Sequence, residues 1–182
     1  MELTEKQLSS ELIYDGVIVK LFRDDVLLPN GNKGVREYIR HVGAVCVVPV
    51  TDDGRVVVER QFRYPFGEVL TELPAGKLDS KQEDPESAAR RELREETGAQ
   101  AAELIPLGDY YPTCAYSDEV IHLYLARGLT FGERSLDEDE FLNVQLAPLE
   151  ELVADVLNGT IKDGKTQTAL LKAYLWLKED RQ

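Results

Sequence analysis

From Leu12 to Pro29 the chain reads LIYDGVIVKLFRDDVLLP, with apolar and polar positions alternating, and it then meets Asn30-Gly31. A period of two is the mark of a strand, and Pro-Asn-Gly is a strong turn, so two short strands and a turn are predicted. VREYIRHVGAVCVVPV (35–50) begins with the same alternation and ends as a nearly continuous apolar run, which predicts two more strands. TDDG turns the chain, and RVVVERQFRYP returns as an antiparallel hairpin partner. EVLTELPAG reads as a short strand that breaks into a loop at Pro74 and Gly76.

The period changes after Gly76. Asp84 suits a helix N-cap, and Pro85 suits the first helical position, where its missing N–H costs nothing. Ala88, Ala89 and Leu93 form a small apolar stripe, and Gly98 is a C-terminal stop. A helix over about residues 85–97 is predicted. Residues 102–110 and 119–126 read as strands, and LAPLEELVADVLNG and DGKTQTALLKAYLWLKED as two amphipathic helices. This order predicts an α/β or α+β fold with a mixed sheet. A break near residue 42 divides a small N-terminal β region, residues 1–41, from a main domain, residues 42–182.

At 182 residues, with 43% hydrophobic and 30% charged positions, the chain suits one or two globular domains. A formal net charge of −13 argues against nucleic acid or an anionic membrane as partner. It does not exclude an anionic substrate, because a bound divalent cation reverses the local sign. Cys46 and Cys114 lack C-x-x-C spacing and read as two reduced thiols. The start, MELTEKQLSSEL, has no basic segment followed by an apolar run, and no apolar stretch approaches the ~20 residues of a membrane helix. A cytoplasmic protein is expected.

The predicted helix carries Glu92 and Glu96 at i and i+4, neighbours on one face. An arbitrary acidic helix is usually a solvated surface, softened here by Arg90, Arg91 and Arg94. Two features favour a cation site. Arg91 and Glu95 form a second i, i+4 pair that can orient the carboxylates, and the LPAG loop just upstream can bring backbone carbonyls to the helix. Hard oxygen ligands of this kind suit Mg²⁺ or Mn²⁺.

The stretch from Glu83 to Ala99 resembles the signature of the Nudix hydrolases, G-x5-E-x7-R-E-U-x-E-E-x-G-U with U aliphatic. Glu83, Arg91, Glu92, Leu93, Glu95, Glu96, Gly98 and Ala99 match in register. Gly76 stands six residues before Glu83 where the pattern has five, so the extra residue falls in the loop before the helix. ERQFRYP, ELPAGK and the N-terminal YDG, LPNG and VREYIRH are similar to the ADP-ribose pyrophosphatase branch. The resemblance implies a Nudix α/β/α sandwich preceded by a small antiparallel β domain exchanged across a homodimer. It also implies hydrolysis of ADP-ribose to AMP and ribose 5-phosphate with Mg²⁺, Mn²⁺ being an alternative.

Carried over residue by residue, the resemblance makes Glu92 and Glu96 metal ligands, with the Ala75 carbonyl as a further one. Glu95 becomes a second ligand or helper and Arg91 the partner of the carboxylates, both within the catalytic set. Glu83 would orient the box through Arg91. Within SLDEDEF (135–141), Glu138 aligns with a catalytic base and Glu140 with an additional metal ligand. Arg63 matches a phosphate-contacting arginine, and its fork suits bidentate binding. Arg36 is a candidate for the terminal ribose or phosphate, and Glu72 for a ribose hydroxyl or for bracing the loop. Arg60, on the opposite strand parity, reads as much as a surface residue as a phosphate contact; Glu119 has an open role. His41 and His122 read as strand-face residues, since Mg²⁺ does not favour imidazole. Tyr110, Tyr111 and Tyr116 read as packing residues before stacking ones, and Tyr174, Trp176 and Leu177 as core or dimer contact.

One departure bears on substrate. Many ADP-ribose enzymes have Ser-Pro-Gly where this chain has Thr113-Cys114-Ala115, which leaves another sugar nucleotide such as GDP-mannose as the competitor. A sensor that binds ADP-ribose uncleaved usually loses box carboxylates, which this chain keeps. Cleaners of damaged triphosphates tend to lack the N-terminal sheet.

Overall fold

The computed structural model describes residues 2–136 and 141–180. It contains ten strands and three helices among those residues, and the chain divides into two compact units. The first runs to Val42 and takes in Tyr111–Val120; the second is Gly43–Tyr110 with the chain from Ile121 onward.

In the first unit, β1 (Lys6–Asp15), β2 (Lys20–Leu27) and β3 (Lys33–Arg40) form an antiparallel meander in the order β1-β2-β3. The Leu28–Asn32 turn joins β2 to β3, closed by Gly31 N–H donating to the Leu28 carbonyl, with Gly31 at φ 84° as such a turn requires. Asp24 is buried and accepts from Gln7 Nε2 at 2.6 Å and the Tyr38 hydroxyl at 3.1 Å, tying all three strands together. Phe22 stacks on Tyr38, and the Arg40 guanidinium lies 4.0 Å from the Phe22 ring centroid. The inserted segment 111–120 is pinned to the end of β3. Ile39 N–H donates to the Tyr116 carbonyl, and His41 N–H to Asp118 at 2.6 Å. The sequence reading had left 111–120 in the main domain. No hydrophobic pattern within those ten residues marks their attachment, because it runs through backbone groups and the Asp118 carboxylate.

The second unit is built on a four-stranded mixed sheet ordered β7-β4-β9-β8, from β4 (Ala44–Pro49), β7 (Ala75–Lys77), β8 (Ala99–Tyr110) and β9 (Ile121–Phe131). β4 and β9 are parallel; the other pairs are antiparallel. All six β4 residues are buried, and alternate side chains serve two cores. Cys46 and Val48 pack with α2 (Leu149–Leu157) and α3 (Gly164–Glu179), whereas Val45 and Val47 pack with α1 (Pro85–Thr97). Burial on both faces explains why β4 reads as a continuous apolar run. A second sheet, β10-β5-β6, comprises β5 (Arg55–Arg63), β6 (Glu68–Glu72) and β10 (Leu142–Pro148). Tyr174, Trp176 and Leu177 pack against the α2–α3 side of the core, and Tyr110 joins them.

The helix predicted over 85–97 is α1, with the signals that marked it. Asp84 accepts from Ser87 N–H at 2.9 Å, and Gly98, at φ 71°, donates to the Arg94 carbonyl. Several boundaries and one pairing differ from the sequence reading: β8 begins at Ala99, β9 runs on to Phe131, and β5 pairs with β6 and β10 in a separate sheet instead of forming a hairpin with β4. β1 begins at Lys6, inside the polar start, because its partner β2 supplies the pairing that its composition does not advertise. Residues 146–148, read as helix, finish β10 in register with β5, and Pro148 stands outside α2 as its N-cap. Gly76, read as loop, lies in the short strand β7. No helix among the described residues is long and apolar enough to cross a membrane.

Candidate active site

α1 presents Glu92 and Glu96 toward β7, and both are buried. Glu96 Oε2 accepts the Ala75 N–H at 3.0 Å. The Glu92 carboxylate lies so close to Gly76 that a Cβ there would fall 2.1 Å from its carboxyl carbon. Only glycine lets the backbone approach this closely, which gives Gly76 its role although the spacing to Glu83 is one residue long. The extra residue is absorbed upstream of the helix. Glu83 N–H donates to the Ser80 carbonyl, and the Glu83 carboxylate accepts the Asp79 N–H at 2.5 Å.

Arg91 gathers the remaining acids. Its Nη1 donates to Glu92 at 2.6 Å and to Glu95 at 3.4 Å, and its Nη2 to Glu83 and to the Lys77 carbonyl, each at 3.3 Å. Burial works against the Arg91 charge, but Glu92 and Glu83 outweigh it and push its pKa further up. Among the described residues, its buried Nε has no hydrogen-bond partner. Arg91 thus contacts three acids of the box, Glu83, Glu92 and Glu95.

Two buried carboxylates one turn apart, toward the negative end of a helix, make an acidic spot. Such a spot favours a cation, and the donors are the hard oxygens that Mg²⁺ and Mn²⁺ take. Among the described residues no three His, Cys, Asp or Glu side chains come together as a complete metal cage. The protein's contribution fits an open site in which the Glu92 and Glu96 carboxylates border the Ala75-Gly76 backbone. Glu138 and Glu140 lie outside the described residues.

A second charged cluster stands beside this loop. Arg63, at the end of β5, donates from Nε and Nη2 to the two oxygens of Glu72 at 2.6 and 2.7 Å. Lys165, in the first turn of α3, also contacts Glu72 and lies 3.0 Å from Asp163, the N-cap of α3. Burial raises the Glu72 pKa, but Arg63 and Lys165 outweigh it and the net shift is downward. Burial likewise depresses Lys165, and Asp163 and Glu72 outweigh that to raise it. Both Glu72 oxygens are engaged by Arg63 and Lys165. Sequence reasoning missed Lys165, Asp163 and Thr166. DGKT was read only as part of an amphipathic helix, and the partners of Lys165 and Thr166 lie 93 residues away.

The other candidates are placed as follows. Arg36, exposed on β3, pairs with Glu5. Arg60 is exposed. Glu119 lies 3.7 Å from His41, and His122 Nδ1 lies 2.8 Å from Asp109, so both histidines face carboxylates. Tyr111 and Tyr116 are exposed, which leaves Tyr110 alone of the three in a packing role.

The NUDIX domain matches residues 40–168, and the nucleoside diphosphate sugar hydrolase N-terminal domain matches residues 5–39. The chain belongs to the NUDIX family. It is 42% identical over 182 residues to an ADP-ribose pyrophosphatase of Bacillus subtilis, covering 99% of this chain and 97% of that one. It is also 42% identical over 177 residues to a methanol dehydrogenase activator of Bacillus methanolicus, covering 96% and 94%. The crystal structure of an ADP compounds hydrolase has the same fold, with a TM-score of 0.87 at 24% identity over 99% of this chain and 98% of that one.

Proposed function

We propose that the protein is a divalent-metal-dependent ADP-ribose pyrophosphatase that adds water across the pyrophosphate to give AMP and ribose 5-phosphate. The observation that carries this reading is the buried Glu92–Glu96 pair set against the Ala75-Gly76 backbone. It occurs in a chain similar over its whole length to an ADP-ribose pyrophosphatase. Mg²⁺ is the metal we favour, with Mn²⁺ as substitute. A cation of this kind neutralises phosphate oxygens and lowers the pKa of attacking water. Glu92, Glu96 and the Ala75 carbonyl would hold it, with Glu140 as an additional ligand. Arg91 keeps Glu92 and Glu95 in place, and Glu95 assists. Arg63 retains Nη1 and a side chain 40% exposed for a phosphate oxygen. Glu138 takes the proton from water.

The working unit is a cytoplasmic homodimer, in which residues 1–41 form a β region exchanged with the second subunit and Arg36 serves the terminal ribose or phosphate. Exposed Leu8, Leu12, Ile13 and Tyr14 on β1 support a partner for that region. A panel of ADP-ribose, GDP-mannose and nucleoside triphosphates with Mg²⁺, resolved by chromatography, tests the function. AMP and ribose 5-phosphate are expected from ADP-ribose. Preferential cleavage of GDP-mannose would favour the reading that Thr113-Cys114-Ala115 leaves open, and consumption of triphosphates alone would defeat both.

A further inference from the structure

The segment Glu72-Leu73-Pro74-Ala75, which leads into Gly76, is fixed from both sides. Pro74 accepts the Val47 N–H at 2.9 Å, and Ala75 donates to Glu96. Besides the Arg63–Glu72 pair, two attachments come from consecutive residues of α3. Lys165 contacts the Glu72 carboxylate, and the Thr166 hydroxyl oxygen accepts the Leu73 N–H at 3.0 Å. Thr166 is fully buried, as is Leu73. Asp163 holds this turn of α3 by accepting from the Thr166 N–H at 2.9 Å and by pairing with Lys165.

We propose that the first turn of α3 is a positioning element for the active site, with Lys165 aiming the substrate-binding Arg63 through Glu72 and Thr166 setting the metal-bordering backbone through Leu73. The inference rests on the ADP-ribose reading for Arg63 and on the Glu92–Glu96 site for the backbone. The two arms differ physically. Lys165 clamps one Glu72 oxygen that Arg63 also uses, so without it the Glu72–Arg63 pair is free to swing outward toward solvent. It also balances charge: Arg63 and Lys165 offset Glu72 and Asp163, and loss of Lys165 leaves the cluster net negative where a diphosphate must bind. Thr166 carries no charge. Its loss strands a buried N–H and loosens the backbone two residues before Ala75.

The test compares Lys165→Met with Thr166→Val, supported by Thr166→Ser. Residues behind a binding group typically change affinity or activity by about 10–100-fold. Lys165→Met is expected to raise KM for ADP-ribose about tenfold or more, with kcat and half-saturating Mn²⁺ little changed. Thr166→Val is expected to weaken Mn²⁺ binding, read by electron paramagnetic resonance without turnover, and to speed hydrogen exchange at the Leu73 amide. Thr166→Ser should restore both. If Lys165→Met does not fold, Lys165→Gln replaces it with the same expected split. A general loss of stability that moves KM and Mn²⁺ affinity together in both variants would overturn the proposal, as would no change in either. A wild-type protein inert toward ADP-ribose would defeat the proposed function and the Lys165 arm with it. Mn²⁺ affinity and Leu73 exchange would still decide the Thr166 arm.

Discussion

Glu92 and Glu96 were legible in the sequence because helical spacing is local: four residues apart on a well-capped helix means one face. Their burial was not legible, since it depends on β7 arriving from another part of the chain. Glu96→Gln removes a charge from the proposed metal shell and is expected to raise half-saturating Mg²⁺ and cut turnover sharply; an unchanged metal titration would contradict the assignment. Gly76→Ala drives a Cβ into the Glu92 carboxylate. Turnover is expected to fall about 100-fold while the fold persists by circular dichroism, since small misplacements at a reacting centre cost that much. Glu72 adds a pH signature. Its folded pKa lies below the ordinary 4.5, so its stabilising contribution is present above 4.5 and fades as pH falls through the lower folded value. Lys165 lies above its ordinary 10.5, so its contribution is complete below that and fades only at higher pH. Urea midpoints should therefore fall more steeply below pH 4.5 in the wild type than in Glu72→Gln. At neutral pH the variant should be less stable by roughly 3 kcal/mol, the low end for a broken buried pair because Arg63 is partly exposed.

At the scale of elements, what the sequence revealed and what it hid divide by how each element is specified. α1 was readable to the residue because Asp84, Pro85 and Gly98 are chemical boundary markers. β4 was readable as a strand because its apolar run is short, rich in valine and bounded by Gly43 and the TDDG turn. The end of β10 was not, since Leu146-Ala147-Pro148 suits the apolar start of a helix and only pairing with β5 decides otherwise. The first turn of α3 was read only as the start of an amphipathic helix, because its contacts with Glu72 and Leu73 are tertiary. The cap of α1 is itself testable. Asp84→Ala removes the acceptor of the Ser87 N–H and should destabilise by about 1 kcal/mol, seen as a Tm lower by a few degrees. Because Asp84 lies two turns before Glu92, the KM for ADP-ribose should stay unchanged. A variant with unaltered Tm would show that the Pro85 turn holds without its cap.

For the molecule as a whole, the open question is what covers β1. Every β1 residue is exposed, and a three-stranded sheet needs a hydrophobic face to bury if it is to be stable. Leu8, Leu12, Ile13 and Tyr14 are each 45–59% exposed. A chain with a net charge of −13 gains nothing electrostatically by meeting a copy of itself, so apolar area must drive any association. A second subunit is the proposed cover. Replacing Leu12 and Ile13 with lysine puts two cations on β1 and leaves the Asp24 hydrogen bonds to Gln7 and Tyr38 in place. Light scattering should then show half the wild-type mass, and KM for ADP-ribose should rise, since Arg36 would no longer be offered to a neighbouring site. Glu92, Glu96 and their loop belong to the second unit, so Mn²⁺ affinity should not change. A wild-type monomer with full activity at assay concentration would end the dimer proposal, and would also return Arg36 to its pair with Glu5 as its whole role.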